Sequence, residues 1–225
     1  MNSVRRYLAI ICAIGMASLA MAEGPDTQPA GPATQATAEV LDPLQAQLRQ
    51  INTVQADFVE KRTLAMLNHQ LTITGHFALE KPDKLIWIVD SPLRYAIRIE
   101  GDEVRQWDED THHVDVIHLG GDPTFKSISD QLKAWFLGDY SALAGSYDAL
   151  MTRRQPLTLE FVPKADSMVA KMIARIGISF EPDERYIDTM SIDESGGDST
   201  VVHFINTKIN QPIGEETWEM PPHER

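Results

Sequence analysis

From residue 53 to residue 118, apolar and polar positions alternate with a period of two. The pattern is clearest at Leu71, Ile73, Phe77 and Leu79 against Thr72, Thr74, His76 and Ala78. Successive side chains of an extended chain point to opposite sides, so this pattern predicts strands that bury one face. Turn signals at Pro82-Asp83, Ser91-Pro92 and Glu100-Gly101-Asp102 divide the segment into strands of ordinary length. The connections are too short for crossover helices, which predicts an antiparallel meander. Strand patterns return at Leu157, Leu159 and Phe161, from Met172 through Ala174, Ile176, Ile178 and Phe180, at Met190 with Ile192, and from Val201 to Ile205.

Two stretches carry helical spacing instead. Asp42 and Pro43 read as an N-cap and first helical position ahead of Leu44, Leu48 and Ile51. Asp122-Pro123 opens a second helix with Phe125, Ile128, Leu132, Trp135 and Phe136 on its apolar face; Gly138 ends it, and Tyr140 to Ser146 reads as a further turn or two. About ten or eleven strands against two principal helices leave a large antiparallel sheet with little helical cover. Such a sheet must close on itself, pair with something, or keep an apolar hollow.

The N-terminus decides the compartment. Arg5 and Arg6, the apolar stretch from Tyr7 to Leu19 and the small-x-small site Ala20-Met21-Ala22 predict a signal peptide over 1–22, cleaved after Ala22, rather than an uncleaved anchor helix. Residues 23–38 (EGPDTQPAGPATQATA) have no apolar period and read as a flexible leader, followed by a single domain over 39–225. The lone Cys12 lies inside the signal, and Ile11 before it is too bulky for a lipid-attachment site. The exported chain is thus cysteine-free and must be held by its own core. Losing Arg5 and Arg6 takes the formal charge from −13 to −15. That charge argues against nucleic acid as a partner and against lasting adsorption to an anionic membrane.

Catalytic patterns are scarce. The chain has no G-x-S-x-G, no phosphate-binding glycine loop and no H-E-x-x-H. Histidines cluster with acids in Asp108-Glu109-Asp110-Thr111-His112-His113, Asp115 and His118. On a strand, His112 and His118 would stand about 20 Å apart, too far to share a metal ion. A solvated hairpin turn is expected there, and neither metal nor cofactor. Asp188 and Asp193 read as ordinary surface acids of an acidic chain.

The most informative spacing is Lys81-Pro82, Trp87, Pro92, Gly101 and Trp107-Asp108. It resembles that of the outer-membrane lipoprotein carrier family, LolA-like, without a gap. Val54-Gln55-Ala56-Asp57-Phe58 is similar to that family's opening strand, and Thr217-Trp218-Glu219-Met220-Pro221-Pro222 to its closing one. The resemblance implies a mainly β fold with α: a strongly curved, unclosed antiparallel half-barrel whose concave apolar face is covered by helices and takes up acyl chains. It implies a monomeric periplasmic carrier, not an enzyme, that receives acylated lipoprotein or other lipid-tailed cargo from an inner-membrane transporter and gives it to an outer-membrane acceptor.

On this reading the cavity lining is Phe58, Leu71, Ile73, Phe77, Leu79, Trp87, Ile97, Ile176, Ile178 and Phe180, with Leu48, Leu132, Trp135 and Phe136 on the lids. Lys81 stands where the family's usual arginine latches the sheet to the lid, and Glu60 where glutamine is common. These departures widen the cargo to lipid-tailed products other than lipoproteins. Two rival readings stand beside the carrier: a periplasmic module that senses lipids or lipoproteins and signals to a membrane regulator, and an enzyme acting on a lipid or glycan.

Overall fold

The computed structural model describes residues 34–67, 69–118, 131, 134–167 and 169–221. The signal segment expected over 1–22, residues 23–33 of the leader, and Asp122, Pro123, Phe125, Ile128 and Leu132 of the second helix lie outside the described residues. The strands are β1 (Thr34–Gln35), β2 (Thr53–Leu64), β3 (His69–Glu80), β4 (Lys84–Ser91), β5 (Tyr95–Glu100), β6 (Glu103–Asp108), β7 (Val114–His118), β8 (Tyr147–Arg154), β9 (Leu157–Pro163), β10 (Ile173–Phe180), β11 (Ile187–Glu194) and β12 (Ser199–Ile209). The α-helical segments among the described residues include α1 (Ala38–Leu48), a segment at 134–137, and α2 (Tyr140–Leu143). The strands form one sheet in the order β1-β8-β9-β10-β11-β12-β2-β3-β4-β5-β6-β7, unclosed, with β1 and β7 at its edges. β3 through β7 and β8 through β12 pair antiparallel, as does β1 with β8. This is the mainly β class expected.

Five expectations are corrected. The sheet has twelve strands. Thr34 and Gln35, within the segment expected to be unordered, pair with Met151 and Leu150. An exposed pairing of two residues needs no apolar side chain, so hydrophobic periodicity could not announce it. α1 starts at Ala38, where Thr37 O accepts from Val40 N and Leu41 N at 3.0 Å each. Pro43 therefore lies inside the helix, where its missing N–H removes one helical bond. Ile51 is buried but lies beyond the helix end. The segment expected as a closing strand is a 3-10 turn, Glu215–Trp218. Pro212 and Pro221 on either side of it cannot donate to a ladder. Finally, not every strand buries a single face, as β4 shows below.

The Gly138 stop has a specific geometry. Its φ is +73°, and Asp139 N donates to Ala134 O at 3.0 Å, the six-to-one bond of a glycine C-cap.

Within the single domain expected over 39–225, two compact units can be distinguished. The first gathers the chain up to Leu48, Glu60–Thr72 and Tyr140–His203; the second gathers Arg49–Val59, Ile73–Asp139 and the chain from Phe204 on. In the first, cross-strand rows Ala149–Phe161–Ile176–Ile192–Thr200 and Met151–Leu159–Ile178–Met190–Val202 share one face. Leu159, Phe161 and Ile178 on these rows are fully buried. The opposite face is polar: Arg175 Nε donates to Asp193 Oδ2 at 2.9 Å, and Nη1 lies 3.5 Å from Glu160.

The second unit buries both faces. One carries the rows Phe77–Trp87–Ile97 and Leu79–Leu85–Ile99–Val104. The other carries Ala78–Ile86 and Ile88–Ala96–Trp107. Trp218 of the 3-10 turn packs with Ala78 and Ile86, and Ile88, Ile213 and Met220 adjoin them. Arg98 Nη1 donates to Trp218 O at 3.1 Å, and Lys84 Nζ stands 4.4 Å from the indole centroid.

Candidate functional site

An aromatic group centred on Trp87 dominates the second unit. Phe77, Trp87 and Ile97 face one another in register across β3, β4 and β5. Phe58 stacks on Trp87 with ring centroids 4.1 Å apart and planes 25° apart. Gly75 makes room for this stack: a Cβ there would lie 2.5 Å from the Phe58 ring and 2.0 Å from Ile88 O. Phe136 covers the row from the helical segment 134–137, its centroid 5.5 Å from Phe77 and 6.2 Å from both Trp87 and Phe204. Phe204 closes the group at 5.3 Å from Phe77. The alternation of Val202 and Phe204 could have singled Phe204 out; nothing local could have singled out Gly75. The buried Trp87 Nε1 meets no acceptor among the described residues.

Of the other residues expected to contact lipid, Leu79, Ile97 and Trp135 are buried in the second unit and Ile73 is half-buried there. Ile176, Ile178, Phe180 and Leu48 are buried in the first unit, and Leu71 is half-buried there. Tyr140 joins the first group, 5.3 Å from Phe161 and 6.3 Å from Phe180. Leu132 lies outside the described residues.

Charged groups mark two further places. Buried alternation along β2 runs Val54, Ala56, Phe58 and Glu60, which puts Glu60 on the Phe58 side of the strand with 2% of its surface exposed. Burial raises its carboxyl to about 7, although the Arg62 charge pulls the other way. Arg62 Nη2 stands 3.6 Å from Glu194, whose carboxyl burial also raises. Lys81, the latch candidate, donates from Nζ to Arg49 O at 2.9 Å and from its backbone N to Asn52 O at 2.8 Å. Burial lowers its ammonium from the ordinary lysine range.

The histidine-rich turn is exposed. His113 Nδ1 lies 3.5 Å from Asp115, and His118 Nδ1 lies 4.0 Å from Glu103. Among the described residues no three His, Cys, Asp or Glu side chains converge as metal ligands. In the first unit a cavity of about 400 Å³ opens beside α1, α2, β8 and β9. Gln45 and Phe161 stand in its wall, and none of the residues expected to line a lipid cavity is among the described residues bordering it.

Residues 49–220 match the family model described as outer membrane lipoprotein carrier protein LolA. An outer-membrane lipoprotein carrier protein of Hahella chejuensis is 23% identical over 186 residues, covering 81% of this chain and 84% of the relative. One of the same name from Chromohalobacter salexigens is 25% identical over 182 residues, covering 79% and 81%. The solved structure of a LolA superfamily protein from Nitrosomonas europaea aligns with 80% of this chain and 97% of its own at 9% identity, with a TM-score of 0.40. With the family model matched across both units and through the whole Lys81–Asp108 spacing, the chain belongs to the LolA family of outer membrane lipoprotein carrier proteins.

Proposed function

We propose that this protein is a periplasmic carrier. It takes the acyl chains of a lipoprotein, or of another lipid-tailed product, onto the Trp87 face, receives them from an inner-membrane transporter and releases them to an outer-membrane acceptor. No covalent step and no cofactor are involved. The observation that carries this reading is the cover on that face: the Phe77–Trp87–Ile97 row is overlaid by Phe136 through ring contacts that hydrocarbon can replace. Family membership and the names of its relatives support it.

The energetics favour the exchange. Exposing Trp135 and Phe136 costs about 1.5–3 kcal/mol each. A sixteen-carbon chain leaving water gains about 0.8 kcal/mol per methylene, roughly 12 kcal/mol in all. The surplus of roughly 6–9 kcal/mol is enough to hold a chain and small enough to surrender it to a better acceptor. Apolar contacts tolerate imperfect shape at modest cost, as a carrier that must release its load requires.

Mass spectrometry of organic extracts from the purified protein tests the reading. Acylated species should appear in near-stoichiometric amount; their consistent absence, with no uptake of a fluorescent fatty acid, would sink it. Trp135→Ala with Phe136→Ala removes the rings that an acyl chain has to displace and should tighten acyl binding by at least about tenfold, the exposure cost of one such side chain. Asp110→Ala, in the exposed turn, should leave binding unchanged. Passage of labelled cargo to acceptor vesicles separates a carrier from a protein that only senses its ligand.

A further inference from the structure

The Trp87 face buries one polar atom that its surroundings leave unused. Trp87 is 5% exposed, and its Nε1, which can donate but not accept, is buried without a hydrogen-bond partner among the described residues. The rings packed round it are those of Phe58, Phe77, Phe136 and Phe204, and none of them carries an oxygen or nitrogen that could accept from it. All five side chains belong to the second unit. Rings alone cannot give a water molecule the roughly two to four polar partners it needs. A buried donor without an acceptor is destabilising, so a face shaped only for hydrocarbon would be better served by phenylalanine at this position.

An unpartnered indole is not by itself a site, for Trp107 Nε1 is equally buried and equally without a partner among the described residues. What lies over the two rings differs. Trp107 stands on the opposite face in the row Ile88–Ala96–Trp107, Arg94 lies 5.5 Å from its centroid, and the neighbouring Ile88 packs against the group of Ala78, Ile86 and Trp218. Trp87 instead lies beneath Phe136, the cover that the carrier reading exchanges for acyl hydrocarbon. An acyl chain brought there consists of methylenes, which accept nothing, up to the carbonyl at its head. That carbonyl oxygen is the acceptor such a ligand can bring to Nε1.

We infer that Trp87 Nε1 is the donor by which this face recognises acyl groups: it holds the carbonyl oxygen of an ester- or amide-linked chain whose methylenes take the place of Phe136 over Phe77 and Trp87. Hydrocarbon of the same length finds the same apolar surface and leaves the donor unpaired. The inference deepens the carrier reading and rests on it.

The chain has four tryptophans, so NMR of the purified full chain carrying isotope-labelled tryptophan follows each indole N–H separately. Methyl laurate should move the Trp87 proton downfield, as a new hydrogen bond does, and leave that of Trp107 in place. Tetradecane, equal in length but without a carbonyl, should bind without the downfield move. In competition against diphenylhexatriene, Trp87→Phe should weaken methyl laurate relative to tetradecane by about three- to tenfold, the worth of one hydrogen bond, because the lost ring area is common to both ligands. Trp107→Phe should leave that ratio unchanged. Thermal melting checks that both variants are folded, and the NMR reading on the unaltered protein decides the matter if Trp87→Phe is not. If methyl laurate moves the Trp87 proton no further downfield than tetradecane does, or if folded Trp87→Phe leaves the ratio unchanged, this inference falls while the carrier reading stands. If neither ligand binds the unaltered protein, both fall.

Discussion

The two units use the same β ladder in different ways. In the first, one face is apolar and the other carries charge pairs such as Arg175 with Asp193 and Glu160. Its core therefore lies on one face of the ladder, with Leu159, Phe161 and Ile178 fully buried there. In the second, both faces are buried: Phe77, Trp87 and Ile97 on one, Ala78 and Ile86 under Trp218 on the other. A sheet secured from one side can exchange what covers its other side without losing its strands. That is the physical reason to seek renewable cover, Phe136 over Trp87, in the second unit and structural packing in the rows of the first.

The sharpest way to break this comparison is to strip the outer face in each unit. Trp218→Ala removes an indole that is 2% exposed, together with its packing on Ala78 and Ile86, and should cost about 3–5 kcal/mol. Arg175→Ala removes ion pairs on a partly exposed surface and should cost at most about 1 kcal/mol. Urea denaturation of the two variants reads the difference. Equal losses would mean that the second unit gains nothing special from its outer cover, and the argument for a renewable inner face would go with it.

Glu60 gives the next largest effect, through pH. The ordinary carboxyl value is 4.5, and burial lifts Glu60 to about 7. Between those values the folded protein holds a proton that the unfolded chain has released. Stability is therefore highest below the lower value and falls as pH rises through the upper one. Glutamine mimics the protonated form, so Glu60→Gln should be more stable than the unaltered protein near pH 8.5 by on the order of 2–3 kcal/mol, with little difference near pH 4.5. A gain that is the same at both pH values would show that the carboxyl does not carry the raised value.

Legibility in the sequence followed periodicity. Ile176, Ile178 and Phe180 alternate without interruption, so their buried face could be read directly, and the Lys81–Asp108 spacing framed β3 to β6. Pro43 misled because proline suits the first turn of a helix, yet the backbone carbonyl of Thr37 had already started α1. Trp218 was invisible as a cover for β4 because a 3-10 turn between prolines has no period to read. Both-sided burial of β4 was hidden for the opposite reason, since Leu85-Ile86-Trp87 is a continuous apolar run that favours neither face. Gln45 illustrates a deeper limit. A polar residue beside Leu44 reads as the wet edge of a helix, and only the approach of Ser141, 96 positions away, buries it.

Lys81 supplies the smallest effect and the finest test of the comparison. An arginine fork gains over an ammonium where two acceptor atoms lie in one plane, as in a carboxylate. The ammonium of Lys81 donates to a backbone carbonyl, Arg49 O at 2.9 Å, and for that bond a single N–H is enough. Lys81→Arg should therefore shift stability by no more than about 0.5 kcal/mol, whereas Lys81→Met, which deletes a charged hydrogen bond, should lose about 1.5–3 kcal/mol. Both residues lie in the second unit, so the bond ties the β3–β4 turn to the start of that unit's own chain. If Lys81→Arg instead changed acyl binding severalfold at unchanged stability, the side chain would have to act on the cover over Trp87, and the lysine would be a latch rather than a tie.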